Sequence, residues 1–144
     1  MQQAEPIRKM GLSRVDEIIR FARGLGYTRI GIANCVRFRK EADLVAERLV
    51  VSGFDVSKVH CKYGLLSARE FIDEATGTVC NPAGQAEYLA EQQTDLNVVM
   101  GLCLGHDMVF TAHSKAPSTT LNVKDRRFAD SPLQGVNEMS PPLD

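Results

Sequence analysis

One stretch decides the fold of this chain: Arg29-Ile30-Gly31-Ile32-Ala33-Asn34-Cys35. It is short, β-branched and apolar at successive positions, which is typical of a strand covered by helices on both faces. An amphipathic helix over residues 38–51 follows, ends at Ser52-Gly53, and leads into a second strand over residues 54–62. This order predicts a right-handed βαβ unit whose two parallel strands end at the same edge of the sheet.

The flanking sequence continues the alternation of helices and strands. Further helices are predicted over residues 13–23, 68–75, 81–90 and 105–113, and further strands over residues 96–103 and 119–124. The fold class is therefore α/β, a small Rossmann-like or flavodoxin-like three-layer domain with a mainly parallel sheet of about four strands. Residues 1–130 are predicted to form this single domain, and residues 131–144 an irregular C-terminal tail.

The composition is that of one self-supporting globular domain. The 144 residues are 44% hydrophobic and 24% charged, which lies outside the regime of disordered chains. The formal net charge of -1 provides no global field to attract nucleic acid or an anionic membrane. No window approaches the roughly 18 apolar residues that span a bilayer, and the N-terminal residues lack a signal-peptide core. We therefore expect a cytoplasmic protein that binds neither nucleic acid nor membranes.

All four cysteines map to one edge of the predicted sheet. Cys35, Cys61 and Cys103 end the first three strands, and Cys80 immediately precedes a helix. Ligand sites in open α/β sheets lie at this carboxyl edge. Because the chain has no Cys-x-x-Cys pair, it does not match a zinc finger, and the fold itself would have to assemble a site. In a reducing compartment such cysteines indicate metal ligands, reactive thiols or core packing rather than disulfides.

Two residues beside Cys103 are candidate catalytic groups. His106 and Asp107 lie in the first turn of the helix that follows the third strand. His106 is a candidate ligand, proton donor or helix cap. Asp107 is a candidate for proton transfer or substrate binding, although acidic side chains favour the first turn of a helix in any case.

Four further residues are candidates for binding a cofactor or a small anionic ligand. Asn34 and Asn81 flank two of the cysteines, and their amides could orient thiolates or hold a substrate. Asn81 also suits the N-cap position before a helix. Lys124 and Arg126 follow the fourth strand and would reach the same edge, where they bind an anion or form an ion-pair cluster.

Several longer motifs resemble a known family. They are Cys80-Asn81-Pro82, Leu96-Asn97, Gly101-Leu102-Cys103-Leu104-Gly105-His106-Asp107, Ser114-Lys115-Ala116-Pro117 and Val123-Lys124-Asp125-Arg126. From about residue 29 to residue 127 the chain resembles the DUF1847 family of uncharacterised bacterial and archaeal proteins, in which metal binding is expected. Family members often begin with a cysteine-rich segment, which is absent here, so the resemblance implies only the four-cysteine core. It implies no assigned reaction.

Three functional interpretations remain open. In the first, Cys35, Cys61, Cys80 and Cys103 bind an iron–sulfur cluster or Zn²⁺, with redox or cluster-assisted small-molecule chemistry. In the second, the site is a metal-free thiol enzyme or small-molecule binder that uses Cys80 or Cys103 as nucleophile and His106 as base. In the third, the cysteines only pack the core. The irregular tail is a candidate homodimer contact.

Overall fold

The computed structural model describes residues 11–137, and in this range it contains one four-stranded parallel sheet. The strands are β1 (Arg29–Asn34), β2 (Asp55–His60), β3 (Leu96–Met100) and β4 (Ser118–Asn122). Their spatial order is β2-β1-β3-β4, and each neighbouring pair is parallel. The predicted α/β class and parallel sheet are therefore confirmed.

Helices cover both faces of this sheet. They are α1 (Arg14–Gly24), α2 (Arg39–Val51), α3 (Pro82–Glu91), α4 (Leu104–His113) and the single turn α5 (Gln134–Asn137). Short 3-10 turns lie at Val36–Phe38, Tyr63–Leu65 and Ala68–Glu70. None of the helices in the described range is long and apolar enough to cross a bilayer. The chain is thus a three-layer α/β domain, and α5 lies in the segment that was predicted to be irregular.

The predicted helix over residues 68–75 is wrong, because only a 3-10 turn at Ala68–Glu70 forms there. Ser67 and Glu70 make the capping box that starts a helical turn. The backbone then folds back instead of continuing, with the Ala68 N–H donating to the Gly77 carbonyl at 2.9 Å. Glu74 has a positive φ of 63°, which no regular helix accommodates.

The apolar side chains of the sheet divide between two layers. Ile30 and Ile32 point into the layer formed with α1 and α2, whereas Ala33 and Cys35 point into the layer formed with α3 and α4. This alternation follows from the two-residue period of a strand. Cys61 belongs to the second layer as well, so two thiols share one face at the carboxyl edge of the sheet.

The end of β3 is a close packing point. Gly101 has φ +64°, and the ring of Phe38 occupies the space that a Cβ at this position would need. Only glycine combines this backbone conformation with this approach at low cost. The turn at Gly101 ends β3 at Met100, so Cys103 lies outside the strand. Cys103 is instead the N-cap of α4.

Candidate functional site

The parallel register brings Cys35 and Cys61 side by side. Asn34 pairs with His60 at the ends of β1 and β2, and each cysteine is the next residue along its strand. The Cys61 N–H donates to the Asn34 carbonyl at 2.8 Å, which extends the ladder by one step. Cys35 is 6% exposed and Cys61 is 2% exposed. Two thiols are therefore buried next to each other at the sheet edge.

Cys80 joins this pair from the segment before α3. Its Sγ lies 3.7 Å from the Sγ of Cys61. The backbone holds the two residues together, because the Asn81 N–H donates to the Cys61 carbonyl at 2.7 Å. Cys80 is half-buried, and all four cysteines of the chain are free thiols.

Lys124 connects the remaining cysteine to the cluster. It follows β4, and its Nζ lies 2.7 Å from the Sγ of Cys35 and 3.7 Å from the Sγ of Cys103. A lysine ammonium is a strong hydrogen-bond donor, and a thiolate is its natural acceptor at such a distance. We call Cys35, Cys61, Cys80, Cys103 and Lys124 the thiol cluster.

The charges in the thiol cluster favour one ionised thiol. Burial alone raises the pKa of Cys35, but the hydrogen bond and charge of Lys124, with a backbone N–H of Arg37, outweigh it and lower that pKa. The thiol of Cys61 also donates a hydrogen bond to Cys35. The Cys35 charge raises the pKa of Lys124 despite the opposing effect of burial. These interactions favour the thiolate form of Cys35 beside the ammonium of Lys124.

Cys61 has the opposite character. Burial is the main cause that raises its pKa to about 12. The backbone N–H of Val36 lowers this pKa, whereas the neighbouring Cys35 and Cys80 sulfurs raise it. Desolvation of a thiolate without a cation at hand explains the difference from Cys35. Cys61 stays protonated and acts as a donor within the cluster.

The two residues predicted to be catalytic, His106 and Asp107, make no side-chain hydrogen bond to a thiol among the described residues. His106 is half-buried in the first turn of α4. The Oδ1 atom of Asp107 is buried without a hydrogen-bond partner in the described part of the chain, and burial raises the pKa of that carboxyl. The catalytic roles of His106 and Asp107 remain predictions.

Of the four residues predicted to bind a ligand, one hydrogen-bonds to the sulfurs and three do not. Asn81 caps α3, where its Oδ1 accepts from the Gly84 N–H at 2.8 Å. Asn34 is buried, and its Nδ2 donates to the Cys35 carbonyl at 2.9 Å, while its Oδ1 has no partner among the described residues. Arg126 is exposed. Lys124 alone of the four contacts the sulfurs.

Sequence reasoning missed Gln85, which fixes the strand ends beneath the cysteines. Its side chain is fully buried, and its Nε2 donates to the carbonyls of Asn34 at 3.3 Å and Val59 at 3.0 Å. The Asn34 carbonyl immediately precedes Cys35, and the Val59 carbonyl lies near the end of β2. The available signal was a polar residue on the apolar face of α3, one turn before Leu89.

The donor set suits a thiolate-binding metal, although no preformed metal geometry is found. Between residues 11 and 137 no group of three or more His, Cys, Asp or Glu residues is arranged to hold a metal ion. The Cys61–Cys80 separation of 3.7 Å is nevertheless close to that of two thiolates on one tetrahedral zinc, about 3.8 Å for Zn–S bonds of about 2.3 Å. Cys35 faces Lys124 instead.

The fold and the cluster define a class, a small three-layer α/β domain with thiols gathered at the carboxyl edge of its sheet. The chain belongs to the DUF1847 family, described as a protein of unknown function, whose model matches residues 2–121. It is similar to the uncharacterised protein MJ0455 of Methanocaldococcus jannaschii, with 41% identity over 122 residues, covering 81% of this chain and 63% of the relative. The chain thus spans less than two thirds of that relative's length. No solved structure matches.

Proposed function

We propose that the thiol cluster is a metal-free reactive-thiol site in which Cys35 is the nucleophile and Lys124 keeps it ionised. The observation that carries this proposal is the 2.7 Å contact between the Lys124 Nζ and the Cys35 Sγ. A thiolate is the nucleophilic form of cysteine, and a neighbouring lysine is one of the recognised means of stabilising it. The lysine acts as a fixed positive charge and not as a base.

The chemistry that suits this pair is attack on a small electrophilic substrate. A lone pair of the Cys35 sulfur forms the new bond to an electrophilic carbon of the substrate. The bond from this carbon to the leaving group breaks, and the leaving group departs with the bonding electron pair. The ammonium of Lys124 neutralises negative charge that develops beside the sulfur. An anionic substituent on the substrate would be attracted by the same ammonium, which agrees with the expected small anionic ligand.

The test is the pH dependence of modification at each cysteine, measured with a small uncharged thiol reagent. Cys80 provides the reference, because it is half-buried and its sulfur has no hydrogen bond from a lysine within the described residues. We expect modification of Cys35 to persist at lower pH than modification of Cys80, and this difference to disappear in Lys124→Gln. A common pH midpoint for both cysteines in the wild-type protein would overturn the proposal.

A second candidate function is metal binding, which the Cys61–Cys80 distance favours. Cys35, Cys61, Cys80 and Cys103 would hold Zn²⁺ or an iron–sulfur cluster, and the bound metal would supply Lewis-acid or redox chemistry. Lys124 would then donate a hydrogen bond to a metal-bound sulfur, as partners of metal ligands commonly do.

Elemental analysis of protein purified without oxygen separates the two candidates. Stoichiometric zinc or iron that is lost in Cys61→Ser and in Cys80→Ser would support the metal site and refute the metal-free one. Protein that is free of metal, and does not take up added Zn²⁺ or Fe²⁺, would refute the metal site. Serine keeps the size of the side chain but is a much weaker ligand, so these variants probe the sulfur itself.

A further inference from the structure

The cysteine pair Cys61 and Cys80 stands at the neck of a long surface loop. Residues 62–79 leave the sheet after Cys61 and return to it at Cys80, and within them Ser67 and Thr78 form an isolated antiparallel bridge. The neck is tied by the Asn81 N–H to Cys61 carbonyl bond of 2.7 Å and by the Lys62 side chain, which donates to the Thr78 carbonyl. These contacts hold Cys61 and Cys80 close together at the neck of the loop.

The rest of the 62–79 loop carries large apolar side chains that are mostly exposed to solvent. Leu65, Phe71 and Ile72 are 71%, 63% and 63% exposed, respectively. The loop meets α3 through the rings of Tyr63 and Tyr88, whose centroids lie 5.2 Å apart. A loop with few buried contacts is the kind of segment that opens locally before the rest of a fold does.

We infer that Cys61 and Cys80 form a reversible disulfide that closes the neck of the 62–79 loop under oxidising conditions. Their sulfurs are 3.7 Å apart, so forming a bond of about 2.05 Å needs an approach of about 1.7 Å. Rotation of the half-buried Cys80 side chain can supply part of this movement. This inference goes beyond the proposed reactivity of Cys35 and does not depend on it.

Hydrogen peroxide is the oxidant that we propose for the step. The Cys80 thiolate, the more exposed of the two, attacks one peroxide oxygen, the O–O bond breaks, and the departing hydroxide takes up a proton to form water. The sulfur of Cys61 then attacks the Cys80 sulfenic acid, the S–O bond breaks, and a second water leaves with the Cys61 proton. The two sulfurs lose two electrons to the peroxide, and a small thiol reverses the bond by exchange.

A peptide map after treatment with peroxide tests the pairing directly. Joint cleavage after Lys, Arg and Glu separates the four cysteines into peptides 30–37, 59–62, 75–87 and 92–115. We expect peptides 59–62 and 75–87 to be recovered linked, with the loss of two hydrogens, and to separate on reduction. The same linkage should form in Cys35→Ser and in Cys103→Ser, which makes the result independent of the proposed nucleophile. Recovery of peptide 59–62 unlinked, or linked to 30–37 or 92–115, would overturn the inference.

A nicking experiment on the unaltered protein tests the closure of the loop. Limited chymotrypsin treatment should cut after the exposed Phe71, between the two cysteines. Oxidised and nicked chain should run as one band on a denaturing gel without reductant and as two bands with it. Nicked chain that separates into two fragments without reductant after peroxide treatment would refute the disulfide. Reduced wild-type protein, nicked in the same way, is the control and should give two bands.

Discussion

Replacing Lys124 with methionine should raise the pKa of the Cys35 thiol. The substitution keeps the length of the side chain but removes the ammonium whose Nζ lies 2.7 Å from the Cys35 Sγ. A hydrogen bond to a charged group contributes about 1.5–3 kcal/mol, and one pKa unit corresponds to about 1.4 kcal/mol. We therefore expect the pKa of Cys35 to rise in Lys124→Met, because its thiolate loses this stabilising hydrogen bond.

The assay is the ultraviolet absorbance of the thiolate followed as a function of pH. Subtracting the titration of Cys35→Ser from that of the parent isolates the Cys35 signal, in the wild-type background and in the Lys124→Met background. Lys124→Arg keeps the positive charge and should retain most of the effect. Lys58→Met serves as the matched control, because Lys58 pairs with Asp43 away from the sulfurs.

If folded Lys124→Met, checked by circular dichroism, titrated at the same pH as the wild-type protein, the ammonium would not be what ionises Cys35. The backbone N–H of Arg37 would then carry the lowered pKa.

Three further predictions concern stability. Burial holds the pKa of Cys61 at about 12 in the folded chain, whereas the unfolded chain loses this proton near the ordinary thiol pKa of about 8.5. The free energy of unfolding should therefore fall as pH rises between these two values. Denaturant titrations should show a shallower alkaline decline in Cys61→Ala, and an equal decline would contradict the assignment. Gln85→Met should cost about 1–3 kcal/mol in urea unfolding because it removes two buried hydrogen bonds, and a cost near zero would mean that these bonds do not fix the strand ends. Gly101→Ala should cost more than about 1 kcal/mol, since it adds a Cβ at positive φ against the Phe38 ring. Adding Phe38→Ala should relieve the steric part of that cost, and strict additivity of the two changes would argue against the contact.

The sheet could be predicted because its signals are local. The apolar run of β1 and the amphipathic pattern of α2 each identify an element within a few residues. The strand ends were harder, since a strand was predicted to run to Cys103 and β3 ends at Met100. The positive φ of Gly101 sets that boundary, and the presence of a glycine in the sequence does not by itself predict a positive φ.

The thiol cluster could be predicted in its location but not in its partners. Parallel strands end at one edge, so the positions of the cysteines along the strands were enough to place them near each other. The partner of Cys35 depends on which way side chains point from elements far apart in sequence. His106 is close to Cys103 along the chain yet makes no hydrogen bond to a thiol in the described structure, whereas Lys124, which follows the last strand, hydrogen-bonds to two sulfurs. Burial of Gln85 likewise depends on how α3 is rotated against the sheet.

The origin of Lys124 after the last strand has a consequence during synthesis of the protein. Cys35 emerges from the ribosome 89 residues before Lys124, the residue that ionises it. Until β4 has been made and added beside β3, the thiol at the end of β1 lacks the ammonium that helps to lower its pKa. The lowered pKa of Cys35 is therefore a property of the completed sheet and is absent from a nascent chain that lacks the last strand.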